Sequence, residues 1–290
     1  MIRVSRRKRC PVCDKPDYCS FFDDMNAVIC MRVASDKPTQ NGGYIHRLNA
    51  NWTPLPYISP KQRTKVRRDW STLVAKFHAA MTDDGFRILS ENLGLSIETL
   101  KVMQIGWDGS QSRYMFPMRN AVGDFVGIRT RRAVPQNDGR DKASFGGDDG
   151  HGLFFVPSML ESGYLIVCEG PTDQGALIDA GFGSSIGKPS CKLGDKYVVE
   201  IIGRLQPQAV LLIPDSDSQG LEGFSILANE ILQSGVMPFE GIDSLVPQKP
   251  LKDVRQWLQK NRDHLGGRIA VKLLTIKQRS GGSPDDQTTF

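Results

Sequence analysis

The amino-acid sequence predicts an α/β protein in three parts: a small cysteine-rich module, a mixed α+β basic subdomain, and a C-terminal parallel sheet with flanking helices. Three observations carry that reading. Four of the six cysteines fall within the first 30 residues. The hydrophobic period switches from helical to alternating at Tyr114. From Tyr164 onward, apolar runs of strand length alternate with helical stretches, as in a parallel sheet covered on its faces.

Composition bounds the reading. The chain has 290 residues, 39% of them hydrophobic and 24% charged, the profile of a globular protein rather than a disordered one. No apolar run approaches the roughly 20 residues of a membrane span. No apolar signal core follows the basic start MIRVSRRKRC. A cytoplasmic location is expected, with no membrane partner. Net charge is +5, unevenly spread. Residues 3–9 and 60–68 each hold five bases and no acid, and Arg113 to Lys142 holds seven bases against three acids. Any one such run also fits a solvated surface; three together favour a polyanionic partner.

In chain order, residues 1–48 form the cysteine module. CPVC places Cys10 and Cys13 in a tight C-x-x-C turn, Cys19 follows, and Cys30 ends a predicted strand, AVIC. In a reducing compartment such clustering points to metal rather than disulfides. Four thiolates enclose one zinc tetrahedrally, and a segment this poor in apolar residues needs a staple. His46, in NGGYIHRL, is an alternative ligand in place of Cys19. Residues 49–68, with three prolines and a basic end, read as a linker.

Residues 69–160 form the basic subdomain. It opens with three helical stretches: WSTLVAKFHAAM, then DDGFRILSENLG ending at Gly94, then SIETLKVMQIG capped by Ser96. Two strands follow, RYMFPMRN and DFVGIRTRRAV, around a turn at Gly123. Residues 161–276 form the parallel-sheet domain, with strands YLIVCE and AVLLIPD and helices DQGALIDAG, LEGFSILANEILQSG and LKDVRQWLQKNR. Cys168 and Cys191 read as small core residues. Residues 277–290, KQRSGGSPDDQTTF, read as a disordered tail.

Parallel strands deliver reactive residues at their carboxyl edge. Glu169 ends one strand, with Asp173 a helical turn later. Asp215 ends another, with Asp217 two residues on, and Asp253 stands at a helix start. Clustered carboxylates repel each other unless cations sit between them, and oxygen-only ligands suit Mg²⁺ or Mn²⁺. Two such ions about 4 Å apart can activate a hydroxyl and stabilise a leaving pyrophosphate. The same residues also fit local roles: DSDS a turn or N-cap, EGPTD a helix-initiating loop.

The order of these motifs resembles a known family. E-G-x-x-D followed by D-x-D resembles the TOPRIM domain of bacterial-type DNA primases, type IA and II topoisomerases, recombination proteins and certain nucleases. Before it, LGLSIETLKVMQIGWD, RYMFPMRNAVGDFVGIRTRRAV and KASFGGDDGHGLFFVP resemble the RNA-polymerase domain of bacterial and phage primases. With the zinc ribbon, the resemblance covers roughly residues 10–262.

It implies that 69–160 is the N-terminal part of an RNA-polymerase domain and 161–276 a TOPRIM domain. Glu169, Asp173, Asp215, Asp217 and Asp253 fall on its catalytic acidic positions, with Glu169, Asp215 and Asp217 holding Mg²⁺ or Mn²⁺. Arg119 of the F-P-x-R motif, Arg131 of the G-x-x-x-R strand and Lys142 fall on its nucleotide- and template-binding positions, and Arg113, which opens the same basic segment, is a further candidate for that role. Cys10, Cys13, Cys19 and Cys30 would hold structural Zn²⁺.

The implied activity is a DNA primase, a nucleotidyltransferase making short RNA primers from nucleoside triphosphates on single-stranded DNA, with a replicative helicase in trans. The chain departs from the family in offering only Asp253 in the last acidic motif and in its cysteine spacing. It has no G-x-x-x-x-G-K-[ST] loop of a fused helicase. A TOPRIM nuclease and a non-catalytic DNA-binding recombination mediator remain open. Neither needs the Arg113–Lys142 segment.

Overall fold

The computed structural model describes residues 1–5, 7–39, 42–48, 68–136, 141–145 and 152–281, with the side chains of 142–145 excepted; residues 49–67 of the expected linker lie outside these. The chain divides into two compact units, Met1–Arg68 and Asp69–Phe290.

The first unit is an antiparallel sheet of four strands in sequential order: β1 (Ile2–Arg3), β2 (Ser20–Phe21), β3 (Ala27–Cys30) and β4 (Tyr44–Arg47). Alternation along β3 sends Val28 and Cys30 inward. They meet Val4, Cys10, Val12, Cys19, Phe21 and Val33, a core in which three of eight members are cysteines.

The second unit begins with α1 (Trp70–Ala79), α2 (Asp83–Leu93) and α3 (Ile97–Val102). Each opens on a side-chain cap. Asp69 accepts from the Thr72 N–H, Thr82 from Gly85 and Ser96 from Thr99, at 3.0–3.1 Å. Gly94 ends α2 at φ +66°, the left-handed conformation that glycine adopts without strain.

There follows an antiparallel sheet of β5 (Gly106–Asp108), β6 (Arg113–Arg119), β7 (Phe125–Arg132) and β8 (Lys142–Phe145), again in sequential order. The β6–β7 turn is held by Asn120, whose Oδ1 accepts from the Val122 and Asp124 N–H groups. One face of this sheet packs Met115 and Ile128 on Trp70 and Val74 of α1.

The rest of the unit is β9 (Leu165–Glu169), α4 (Pro171–Asp179), β10 (Ser185–Lys188), α5 (Asp195–Leu205), β11 (Val210–Ile213), α6 (Ser218–Ser234), β12 (Ile242–Ser244), α7 (Val254–Lys260) and α8 (Arg262–Arg279). The strands form a parallel sheet ordered β10-β9-β11-β12. Its central strands are apolar at nearly every position because alternate residues feed two cores. Ile166, Cys168, Leu211 and Ile213 face Leu177 of α4 and Leu265, Ile269 and Leu273 of α8. Leu165, Val167, Val210 and Leu212 face Val198 and Ile202 of α5 and Phe224, Leu227 and Ile231 of α6.

Four of these elements, β10, α5, β12 and α8, are absent from the sequence reading. Helix α8 runs to Arg279, so residues 277–279 of the expected tail are helical, while 282–290 lie outside the described residues. None of the helices among the described residues is long and apolar enough to cross a membrane.

A short segment joins the two sheets. Leu153 bridges to Arg119 of β6 and Phe154 bridges to Gly187 of β10, each through a reciprocal pair of hydrogen bonds of 2.7–2.9 Å. The basic strands are thereby held beside the carboxyl edge of the parallel sheet.

Candidate functional site

In the first unit, the Sγ atoms of Cys10, Cys13, Cys19 and Cys30 all lie within 4.8 Å of one another. Cys13 and Cys19 are 3.7 Å apart, Cys19 and Cys30 4.0 Å. Four thiolates each about 2.3 Å from a central zinc stand about 3.8 Å apart at tetrahedral angles. The spacing therefore fits. None of the four is in a disulfide.

The CPVC turn is closed by the Asp14 N–H on the Cys10 carbonyl at 2.8 Å. Backbone N–H groups of Met31 and Val33 reach Cys19 and Cys30 at 3.5 and 3.3 Å, and Arg32 lies 3.8 Å from Cys13. These donors favour thiolate. The hydrogen bond shared with Cys10 lowers the Cys30 thiol and raises that of Cys10, and burial raises Cys19. His46 is no part of the cluster. It pairs with Val28 across β3–β4, and its Nε2 lies 3.0 Å from the Val33 carbonyl, an acceptor that holds the proton on that nitrogen.

In the second unit, register sets the site. Cys168 stands beside Ile213 and Glu169 beside Lys188, so Glu169, the last residue of β9, and the residues after β11 leave the sheet side by side. Glu169 and Asp215 then line one cavity of about 230 Å³ together with Asp173 and Asp253. Burial, and then Glu169, raise the Asp215 carboxyl to about 6. Burial and the nearby Asp217 raise Glu169 as well. Asp173 is buried and pushed well above the ordinary carboxyl range, chiefly by desolvation, and accepts the Arg255 N–H at 3.1 Å.

Two of the acids have capping duties, as their sequence context allowed. Asp217 caps α6 by accepting the Gly220 N–H at 2.9 Å, which keeps its carboxyl low. Asp253 caps α7 by accepting from Gln256 at 2.7 Å. Each cap uses one oxygen. Among the described residues, no three of these carboxylates approach as closely as the cysteines do.

The facing wall is basic, and strand alternation decides which bases belong to it. Phe116 of β6 lines the cavity and pairs with Arg129, and Tyr114 pairs with Arg131, so both arginines share the cavity face. Arg131, a candidate from the sequence, lines the cavity, and so does Arg129, which the motifs do not single out.

Arg113 and Arg119 lie on the opposite parity of β6 and are not among the residues that line this cavity. Arg113 donates to Thr130 at 3.1 Å. Arg119 donates to the Gly123 carbonyl at 2.7 Å and to Gln104, and lies 3.8 Å from the Phe125 ring centre. Burial lowers its guanidinium to about 10. The backbone of Lys142 pairs with Arg131, while its side chain lies outside the described residues.

Two further bases line the cavity unforeseen, Lys252 and Arg255. Arg131 is lowered by burial and by its like-charged neighbour Arg255, whose buried Nε has no hydrogen-bond partner among the described residues. Two such cations side by side favour an anion between them. One wall of the cavity thus presents carboxylates and the other guanidinium groups.

Neither a family model nor a curated protein matches the chain. Solved structures do. A DnaG catalytic core is similar with a TM-score of 0.58 at 18% identity, over 70% of this chain and 78% of that one. A DnaG primase catalytic domain bound to single-stranded DNA gives 0.57 at 18%, over 70% and 77%. The Aquifex aeolicus primase, comprising zinc-binding and RNA-polymerase domains, gives 0.54 at 13%, over 71% and 59%. The fold is that of the DnaG catalytic cores. In this DnaG-type fold the acidic strand ends and the arginine-bearing strands come from different sheets, and the bridge through Leu153 and Phe154 holds them together.

Proposed function

We propose that this chain is a DNA primase, a template-directed nucleotidyltransferase that starts short RNA strands on single-stranded DNA. One observation carries the reading: Glu169 and Asp215, at the carboxyl ends of parallel strands, confront Arg129 and Arg131 across a single cavity in a DnaG-type fold.

The acidic wall consists of carboxylate oxygens, the donor set of a hard divalent cation, and Glu169, Asp215 and Asp217 would hold Mg²⁺ or Mn²⁺. Such ions supply Lewis-acid activation of an attacking hydroxyl and neutralise a leaving pyrophosphate. Glu169, raised by burial, either ligates or accepts the 3′-hydroxyl proton. Asp173, sunk beneath the cavity on the Arg255 N–H, positions α7. Arg129, Arg131 and Arg255 orient the phosphates by forked hydrogen bonds, with Lys142 of β8 as a further phosphate contact.

The four cysteines would hold structural Zn²⁺, and their module would help read the template start. Single-stranded DNA, nucleoside triphosphates and a helicase acting in trans are the partners of this reading. Support for the first comes from the similar DnaG domain bound to single-stranded DNA.

The test is synthesis. Protein, single-stranded DNA, labelled nucleoside triphosphates and Mg²⁺ or Mn²⁺ are incubated beside an Asp215→Ala, Asp217→Ala double variant. Short RNA from wild type alone is expected. Shortened DNA without RNA would make the protein a nuclease, and DNA binding with neither activity would make it a mediator.

A further inference from the structure

The loop carrying Asp215 and Asp217 is stitched to the segment that enters α7. The Ser216 N–H donates to the Lys252 carbonyl at 2.8 Å, and the Ser216 hydroxyl donates to the Leu251 carbonyl at 2.9 Å. The Lys252 N–H is itself held by Gln256 Oε1 at 2.9 Å, in the helix that Asp253 caps. Uncharged hydrogen bonds therefore fix the backbone of Lys252 beside the aspartates, whatever its ammonium does.

That ammonium lies 3.6 Å from Asp215 Oδ2 and 3.4 Å from Asp217 Oδ2. The other oxygen of Asp217 is committed to the Gly220 N–H. Lys252 thus faces the very oxygen that Asp217 has left to offer a cation. The neighbouring bases are placed otherwise: Arg129 donates to the Pro189 carbonyl, and buried Lys188 pairs with Asp195. Among the described residues the Lys252 ammonium pairs with Asp215 and Asp217 alone.

We propose that Lys252 is a built-in counter-cation of the carboxylate site, competing with the divalent ion for Asp215 and Asp217 and withdrawing when that ion binds. The proposal rests on the reading that these carboxylates take a divalent cation. An ammonium and a doubly charged ion repel strongly at contact distance, so the same oxygens cannot serve both. The Lys252 side chain is 56% exposed, and its flexible stem can swing into solvent without unpacking the core. Its presence where the chain offers a single acid, Asp253, makes the last motif charge-balancing rather than purely ligating.

The experiment measures Mn²⁺ binding to the zinc-loaded full chain by paramagnetic resonance, for wild type, Lys252→Gln, Lys252→Arg and the Asp215→Asn, Asp217→Asn double variant. Lys252→Gln is expected to bind Mn²⁺ about tenfold tighter than wild type, an exposed-site discount on the bare Coulomb gain. Lys252→Arg keeps the charge and is expected to bind no tighter than wild type. The gain of Lys252→Gln should shrink as salt is raised. Equal or weaker binding by Lys252→Gln, with wild type binding and the double variant not, overturns the counter-cation while leaving the metal site standing. Failure of every protein to bind Mn²⁺, or undiminished binding by the double variant, overturns the metal reading and the counter-cation with it.

Discussion

Asp215 illustrates what a functional residue costs the fold that holds it. Its side chain is 15% exposed, and its carboxyl, ordinarily near 3.8, is raised to about 6 with the attraction of Lys252 already included. Because the folded value lies above the unfolded one, ionised Asp215 opposes folding. The penalty is absent below about pH 4, grows as pH rises to about 6 and is constant beyond. Asp215→Asn in metal-free protein should therefore gain about 2 kcal/mol at pH 7.5 and nothing near pH 4, measured by urea unfolding at both values. Primer synthesis should be lost in the same variant. The arginines opposite carry a different expectation. Arg129→Ala and Arg131→Ala should each lower the slope of log affinity for single-stranded DNA against log salt by about 1, read by fluorescence anisotropy.

Strands and helices place these residues through close approach and alternation. Helix α6 seats its first turn directly on the loop leaving β11, and a methyl group on Gly220 would stand 2.6 Å from the Asp215 carbonyl oxygen. Gly220→Ala should cost about 1–3 kcal/mol in urea unfolding and reduce primer synthesis even where the protein stays folded. Alternation also separates the two motif arginines. F-P-x-R and G-x-x-x-R each deliver an arginine, yet Arg119 and Arg131 occupy opposite parities of paired strands, and only Arg131 meets the acids. Arg129 has the same parity as Arg131 and was legible in GIRTR by that rule alone. The period-2 count, applied to both strands together, would have found it.

The molecule as a whole is two compact units with unlike means of holding together. The first has a core of only eight buried residues, three of them cysteines, so small that a staple is expected to hold it; the second has two extensive apolar clusters. A strong zinc chelator should unfold Met1–Arg68 and leave Asp69–Phe290 intact, seen calorimetrically as the loss of one transition and the survival of another. Elemental analysis should show one zinc per chain before chelation and none after.

Local pattern carried the cysteine module, the strand–helix alternation and the acids at strand ends, because capping, period and turn chemistry act over a few residues. Helix α8 was within reach of the same logic, since Leu265, Ile269, Leu273 and Ile276 recur at helical spacing, but Gly266 and Gly267 hid it. Folding in three dimensions settled the remainder: Cys19 rather than His46 at the cluster, Arg129 and Arg255 in the cavity, Arg113 and Arg119 outside it, and Lys252 against the aspartates. Those choices depend on strand register, on which face a side chain takes, and on hydrogen bonds between loops far apart in the chain. No short window of residues encodes any of the three.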